Sequence, residues 1–113
     1  MGIPVEKLLP LHPESFRILV VLREGERHGY AIVKELERDA GRPGTVLPAN
    51  LYRRIRWLME RGLSAESEAR PDPELGDERR RYFRVTDLGE EVARAEAQRL
   101  RALLAGAGDL ARP

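Results

Sequence analysis

The stretch PANLYRRIRWLMERGL, residues 48–63, carries the clearest pattern in this chain. Its apolar residues Leu51, Ile55 and Leu58 recur at the spacing of one helix face. Pro48 suits a first helical turn and Gly62 suits a helix stop, so the pattern predicts a helix over residues 48–61. The side away from the apolar face, with Trp57 near its centre, carries Asn50, Arg53, Arg54 and Arg61.

A helix with one face to bury and one cationic face has a natural partner in a polyanion. The phosphates of DNA attract such a face, and the major groove is wide enough to admit a helix. The alternative is an ordinary solvated surface, since arginine is also a good helix former. This helix alone does not separate the two interpretations, and the flanking segments favour the first.

The composition describes one globular domain of 113 residues, with 42% hydrophobic and 35% charged residues. The 20 basic and 19 acidic residues nearly cancel, but residues 42–61 hold five arginines against one glutamate. With no cysteine, the chain has neither disulfides nor thiolate metal sites. It contains no signal peptide and no membrane-length apolar run. We expect a cytoplasmic protein that folds by packing alone.

Upstream of the basic helix, the sequence predicts an arm followed by a buried helix. Residues 1–11 contain two prolines and are expected to be ordered only by packing on something else. A helix is predicted over residues 13–25, in which Ile18, Leu19 and Val21 make more than one face apolar. Such a helix either lies at the centre of the core or contacts a second subunit.

A second helix is predicted over residues 30–40, and the sequence GRPG at 41–44 ends it. The basic helix over residues 48–61 follows. Two helices joined across a glycine-containing break, with the second one basic on its outer face, match the layout of a helix-turn-helix.

After the basic helix, the pattern changes to that of a β-hairpin. Residues 63–69 and 80–85 are candidate strands, and the turn-rich residues 71–77 lie between them. A hairpin directly after a basic helix is the wing of a winged helix. The base or flank of this wing would carry the arginine triplet Arg79, Arg80 and Arg81.

A last helix is predicted over residues 88–105, with Thr86 or Asp87 as its N-cap and Glu90 at capping-box spacing from Asp87. At about 27 Å, such a helix overhangs a core of this size. We therefore expect part of its apolar edge to pack on a second copy of the chain. The residues predicted to form this interface are Leu19, Val92, Leu100, Leu103 and Leu104.

These segments predict a mainly α fold with a small β-hairpin, in the α+β class. A winged helix-turn-helix DNA-binding domain covers residues 12–86, after an N-terminal arm at residues 1–11. A dimerisation helix covers residues 87–105, and residues 106–113 form a flexible tail after a helix stop at Gly106.

Several short motifs occur in a fixed order along most of the chain. They are Ile18, Leu19 and Gly25, then HGY at 28–30, then Leu51, Tyr52, Leu58, Gly62 and Leu63, then RRYF at 80–83 running into TDLG at 86–89. In this order and spacing, the chain from Phe16 to Leu104 resembles the PadR-like winged-helix transcriptional regulators of the short type.

The resemblance implies a homodimer that binds a near-palindromic DNA operator. The third helix would enter the major groove, the wing would contact the backbone or the minor groove, and the terminal helix would build the dimer. It also implies a repressor released by a small molecule or another signal, which the sequence does not identify.

The start of the recognition helix departs from the family pattern. The family typically has Ser-Pro followed by Gly or Ala and then Ser or Thr, whereas this chain has LPAN at 47–50. Leu47 cannot cap the helix through its side chain. Arg53 stands where a proline is common, and Trp57 stands where a basic residue is common. The operator sequence therefore cannot be taken from relatives.

Roles follow from position on the helix. Asn50, Arg53 and Arg54 are predicted to contact base edges or adjacent phosphates, and Arg56 and Arg61 to contact phosphates. Tyr30 and Tyr52 either offer hydroxyls to phosphates or have rings that pack in the core. The full set predicted to face DNA is Tyr30, Asn50, Tyr52, Arg53, Arg54, Arg56, Trp57, Arg61, Arg79, Arg80 and Arg81.

Other classes of function were weighed against DNA binding. An enzyme is not expected, because the sequence has no thiol nucleophile, no Gly-rich phosphate loop and no His–carboxylate pairing at a ligand spacing. We expect no cofactor and no metal. Trp57 could stack on the wing or a neighbouring subunit, contact DNA, or meet a protein or ligand. The alternatives are a winged-helix module that binds proteins through Trp57, and a MarR-like regulator with a different dimer.

Overall fold

The computed structural model describes residues 4–42, 44–67 and 81–113. The chain is mainly helical, with one small antiparallel sheet of three strands, which confirms the α+β class. The elements are α1 (Pro13–Arg23), β1 (Arg27–His28), α2 (Gly29–Ala40), α3 (Pro48–Glu60), β2 (Ser64–Glu66), β3 (Tyr82–Val85) and α4 (Asp87–Ala107). Short 3-10 turns cover Val5–Leu8 and Gly108–Ala111.

Helix α1 lies at the centre of the core and packs against α2, α3, α4 and β3. This explains its two apolar faces without a second subunit. Leu19, expected at a subunit interface, is completely buried inside one chain, as is Val92 of α4. No partner side chain can reach either residue, so both are core residues rather than interface residues. The burial of Ile18, Leu51 and Phe83 beside them shows that every main element contributes to this core.

The loop between α2 and α3 is held by backbone and side-chain hydrogen bonds. Gly41 ends α2 in the left-handed conformation, at φ 65°, and the Arg42 amide donates to the Glu37 carbonyl. The Glu37 carboxylate is buried and accepts a hydrogen bond from the Val46 amide at 3.1 Å. This bond is the main cause that lowers the pKa of Glu37. The carboxylate therefore fixes the chain just before α3 begins.

The sheet has the order β1-β3-β2, with β3 at its centre. Arg27 pairs with Phe83 on one side, and Glu66 pairs with Phe83 on the other. Strand β2 begins one residue later than expected, because Leu63 lies in the turn that follows α3: the amide of Leu63 donates to the carbonyl of Leu58. The predicted turn at 71–77, with Arg79 and Arg80, lies outside the described residues.

Thr86 joins the end of α3 to the start of α4. Its hydroxyl donates to the Gly62 carbonyl at 2.6 Å and accepts from the Gly89 amide at 3.0 Å, so Thr86 is the N-cap of α4. Its own amide donates to the carbonyl of Leu63. Glu90 does not form a capping box with Asp87. It forms ion pairs with Arg23 of α1 at 2.9 Å and Arg94 at 3.3 Å.

The N-terminal arm is described from residue 4 onward and packs on the chain's own core: Val5, Leu8 and Leu9 lie against it, and the 3-10 turn contacts α4. The C-terminal end differs from expectation. Gly106 lies inside α4, and the residue that caps the helix is Gly108, at φ 62°. Helix α4 continues to Ala107, although residues 101–106 are exposed.

Candidate nucleic-acid interface

The exposed face of α3 is centred on two arginines. Leu51, Ile55 and Leu58 are buried, and the opposite side presents an exposed stripe. This stripe consists of Ala49, Arg53, Arg56 and Glu60, spaced four, three and four residues apart, with exposed Tyr52 beside it. Since residues at these intervals lie on one line of a helix, they form one continuous ridge. The centre of the face is therefore Arg53 and Arg56, not Trp57 as the sequence had suggested.

Arg53 and Arg56 carry their charges without compensation. Within the part of the chain that the structure describes, neither guanidinium forms an ion pair with a carboxylate. Arg61, in contrast, lies 3.8 Å from Glu60, and Arg81 is paired with Glu66. The ridge thus carries two arginines without an ion-pair partner among the described residues, and its one carboxylate, Glu60, is paired with Arg61. This excess of positive charge favours an anionic partner.

Asn50 and Arg53 are linked to each other. The Nη2 of Arg53 donates a hydrogen bond to the Oδ1 of Asn50 at 2.5 Å. Asn50 is half-buried, whereas Arg53 is exposed. The amide therefore supports the guanidinium from the side of the ridge. Arg54, the third residue predicted to contact bases, is half-buried on the same flank of α3.

Trp57 lies on the flank of α3 and is half-buried against the core. The guanidinium of Arg61 stacks on its ring, 4.1 Å from the ring centroid, and donates to the Trp57 carbonyl at 3.4 Å. Trp57 thus stacks on the next turn of its own helix. Part of the ring that a protein partner would need is already covered.

Two tyrosines predicted to face DNA lie at the start of α2 and on α3. Tyr30, the second residue of α2, is 58% exposed, so its ring does not pack in the core. The Tyr52 side chain makes two contacts. Its hydroxyl lies against Gly29, and its ring packs edge-on against Phe83 with 6.4 Å between ring centroids. Gly29 follows His28, whose Nδ1 accepts from the Ala31 amide and caps α2. Tyr52 therefore joins α3 to the start of α2 and to the sheet.

The base of the wing is closed by an ion pair. Arg81 donates two hydrogen bonds to the Glu66 carboxylate, each at 3.0 Å, and its guanidinium lies 5.4 Å from the Phe83 ring centroid. These hydrogen bonds are the main cause that lowers the pKa of Glu66 and raises that of Arg81. Arg81 is thus neutralised, unlike the arginines of α3. A groove of about 200 Å³ separates it from Arg56.

Sequence reasoning missed three residues at this surface, namely Glu60, Glu66 and Gly29. The position of Glu60 follows from its spacing to Arg53 and Arg56, so the helical period of the sequence is enough to predict it. The roles of Glu66 and Gly29 depend on strand register and on contacts between distant elements, and no local pattern signals them.

Residues 4–42, 44–67 and 81–113 contain no group of three His, Cys, Asp or Glu side chains placed to hold a metal ion. In that same part of the chain, no helix is both long enough and apolar enough to cross a membrane.

Comparison with known proteins gives matches at the level of family and fold. Residues 18–95 match the sequence profile described as "Transcriptional regulator PadR-like family". No curated protein matches the chain.

Among solved structures, the chain is similar to a PadR family transcriptional regulator from Eggerthella lenta DSM 2243. The identity is 31% and the TM-score 0.68, over 96% of this chain and 85% of that one. It is also similar to RosR of H. salinarum, at 29% identity and a TM-score of 0.65, over 88% and 79% of the two chains. A transcriptional regulator from Clostridium thermocellum shares the fold at 20% identity and a TM-score of 0.70, over 85% and 87%.

Proposed function

Because the chain belongs to the PadR-like family of transcriptional regulators, we propose that it binds a near-palindromic DNA operator as a homodimer and represses transcription there. This family consists of transcriptional regulators rather than enzymes, and the chain is not an enzyme. Membership of the PadR-like family excludes the alternative of a MarR-like regulator.

The observation that carries the proposal is the ridge of α3, with Arg53 and Arg56 exposed and without a carboxylate partner among the described residues. In the proposed complex, α3 enters the major groove, and the wing, bounded by β2 and β3, lies beside the sugar-phosphate backbone. The groove of about 200 Å³ next to Arg56 offers room for a phosphate group between helix and wing. Tyr30, at the start of α2, contacts a phosphate on the other side.

The dimer is proposed from the exposed end of α4. Leu103 and Leu104 are 60% and 56% exposed, and Leu100 is half-buried. A groove of about 170 Å³ lies between α1 and α4, lined by Phe16, Val20, Arg23, Ala93, Arg94 and Ala97. An exposed pair of leucines and an apolar groove on the same chain are complementary surfaces for two copies related by a twofold axis. In this arrangement Leu100, Leu103 and Leu104 lie in the interface.

Repression follows when the protein occupies its operator. A dimer bound within a promoter occupies the surface that RNA polymerase requires, so transcription falls while the operator is filled. On this proposal the protein acts in the cytoplasm, on the chromosome. A transcriptional reporter under the bound promoter should give a lower signal when the chain is expressed, and a higher signal would contradict repression.

The experiment that tests DNA binding is a titration of the purified chain against a labelled duplex from upstream of its own gene. It uses a scrambled competitor and two salt concentrations. We expect nanomolar, salt-sensitive binding that survives the competitor. Arg53→Ala should reduce the preference for the operator over the scrambled duplex. Arg56→Ala should weaken binding to both and lower the salt slope by about 1.

Arg112→Ala is the matched control, because Arg112 is an exposed arginine at the end of the chain, beyond α4. It removes the same charge and should leave binding unchanged. Absence of binding at the lower salt concentration would contradict the proposal. It would favour the alternative of a protein-binding module that uses Trp57, whose affinity depends little on salt.

A further inference from the structure

We propose that Asn50 and Arg53 act as one unit, in which Asn50 is a positioning residue that holds the Arg53 guanidinium to read a guanine. This inference rests on the proposed function, since it concerns the same face of α3. It names the base that this position selects and gives Asn50 a role other than a direct contact with bases.

The two side chains differ in position and exposure. Arg53 lies on the exposed ridge, and Asn50 lies one turn before it at its side, half-buried. The 2.5 Å hydrogen bond from Arg53 Nη2 to Asn50 Oδ1 occupies one edge of the guanidinium. A free arginine side chain samples many rotamers, and a hydrogen-bonded one keeps fewer of them. Arg53 is therefore oriented before DNA arrives.

Arg56 provides the contrast within the same helix. It shares the ridge and the exposure of Arg53, but among the described residues no side chain or backbone carbonyl accepts a hydrogen bond from it. Its guanidinium is free to follow the nearest phosphate. The Arg53 side chain is thus held in one orientation and the Arg56 side chain is not, although both carry the same charge.

The chemistry of the pair selects the base. An asparagine that reads adenine accepts from the N6 amino group through Oδ1 and donates to N7 through Nδ2. Here one lone pair of Oδ1 is used by Arg53, and the guanidinium carries only donors, so the pair presents mainly N–H donors to the groove. Guanine offers two acceptors there, O6 and N7, whereas adenine offers one acceptor beside a donor. The unit therefore prefers guanine to adenine.

The test replaces single guanines by 7-deazaguanine, which lacks the N7 acceptor, in an operator selected from randomised duplexes with the full chain. At one guanine of each half-site, we expect the replacement to weaken wild-type binding roughly five-fold or more. Asn50→Ala and Arg53→Ala should each reduce that penalty to less than about two-fold. Asn50→Ala should leave the thermal unfolding midpoint and the salt slope near wild type, because alanine suits a helix and no charge is removed.

Two further variants test the assignment. Asn50→Asp keeps an acceptor for Arg53, so the N7 penalty should persist although overall affinity falls with the added negative charge. Arg56→Ala should also keep the penalty. Sequence-specific binding without any N7-dependent guanine, or an undiminished penalty in Asn50→Ala, overturns the inference and leaves the proposed function standing. Failure to bind any duplex at low salt overturns both.

Discussion

The hydroxyl of Tyr52 occupies the space that a Cβ atom on Gly29 would need, so α3 and the start of α2 approach each other at a residue without a side chain. Gly29 is buried by this contact. The contact between α3 and the start of α2 therefore depends on one glycine and one tyrosine. Tyr30, the next residue of α2, is exposed.

Gly29→Ala should disturb binding more than stability. The added methyl overlaps the far end of the Tyr52 side chain, which is partly exposed and can swing aside. We expect a loss of about 1 kcal/mol in the free energy of unfolding, measured with urea. DNA affinity should fall as Tyr52 leaves its place. In Gly29→Ala with Tyr52→Ala, the alanine at 29 should cost no further stability, and a full additional loss would show that the overlap is not the cause.

Gly89→Ala should be much more harmful. A Cβ at Gly89 would overlap the backbone carbonyl oxygen of Leu63 and approach the side chain of Val85. A backbone carbonyl in a packed core cannot move aside, so we expect a loss of about 3 kcal/mol or more in urea unfolding. Gly106→Ala is the control, since a Cβ there meets nothing within 4 Å. An equal effect of the two changes would contradict the packing of α4 on Leu63.

Stability should fall in acid through Glu37. Its pKa in the folded chain lies below the ordinary value of 4.5, chiefly because of the hydrogen bond from the Val46 amide. The carboxylate therefore stabilises the fold above its unfolded pKa, and this contribution is lost as pH falls through the lower, folded pKa. Urea unfolding of wild type and Glu37→Gln from pH 7 to pH 3 measures it. The difference between the two should shrink with acid, and a constant difference would contradict it.

Glu66→Gln should strengthen DNA binding. The change releases Arg81 from its paired carboxylate. Both side chains are partly exposed, so the pair adds little to stability and the variant should unfold near wild type. The freed guanidinium adds a phosphate contact, and we expect the salt slope to steepen by about 1. Glu66→Gln with Arg81→Ala should lose the gain. A gain in DNA affinity that persists in the double variant would show that Arg81 is not its cause.

Leu103→Asp with Leu104→Asp should dissociate the proposed dimer. Both side chains are more than half exposed in one chain, so two aspartates there leave the core intact while placing charges in the interface. Sedimentation equilibrium should show a monomer with native circular dichroism. Leu110→Asp, at an 87% exposed leucine beyond α4, is the matched control and should remain dimeric. A monomeric wild type, or a dimeric double variant, would contradict the α4 interface.

The helices were predictable because their signals are local. Pro48 at the start of α3, Gly41 after α2 and the period of Leu51, Ile55 and Leu58 each act within a few residues. The order of these signals along the chain also carried the family resemblance, which the family profile over residues 18–95 confirms.

What the sequence could not supply depends on distant contacts. Strand β1 has two residues and exists only because β3 pairs with it. Leu19 and Leu103 look alike in the apolar pattern, yet one is buried at the centre of the core and the other is exposed. Trp57 was placed at the centre of the exposed face, but its packing against the core moves it to the flank. Tertiary packing decides all of these.

The hydrogen bonds of Thr86 have a consequence for operator spacing. They hold the turn after α3 and the first turn of α4 on one side chain, so α3 is fixed to the start of the helix that carries the proposed subunit interface. In the proposed dimer, two α3 helices held in this way would keep a fixed distance and a fixed rotational phase. One base pair inserted between half-sites adds about 3.4 Å and about 35°. We therefore expect the proposed dimer to bind such an operator through one half-site and to lose affinity.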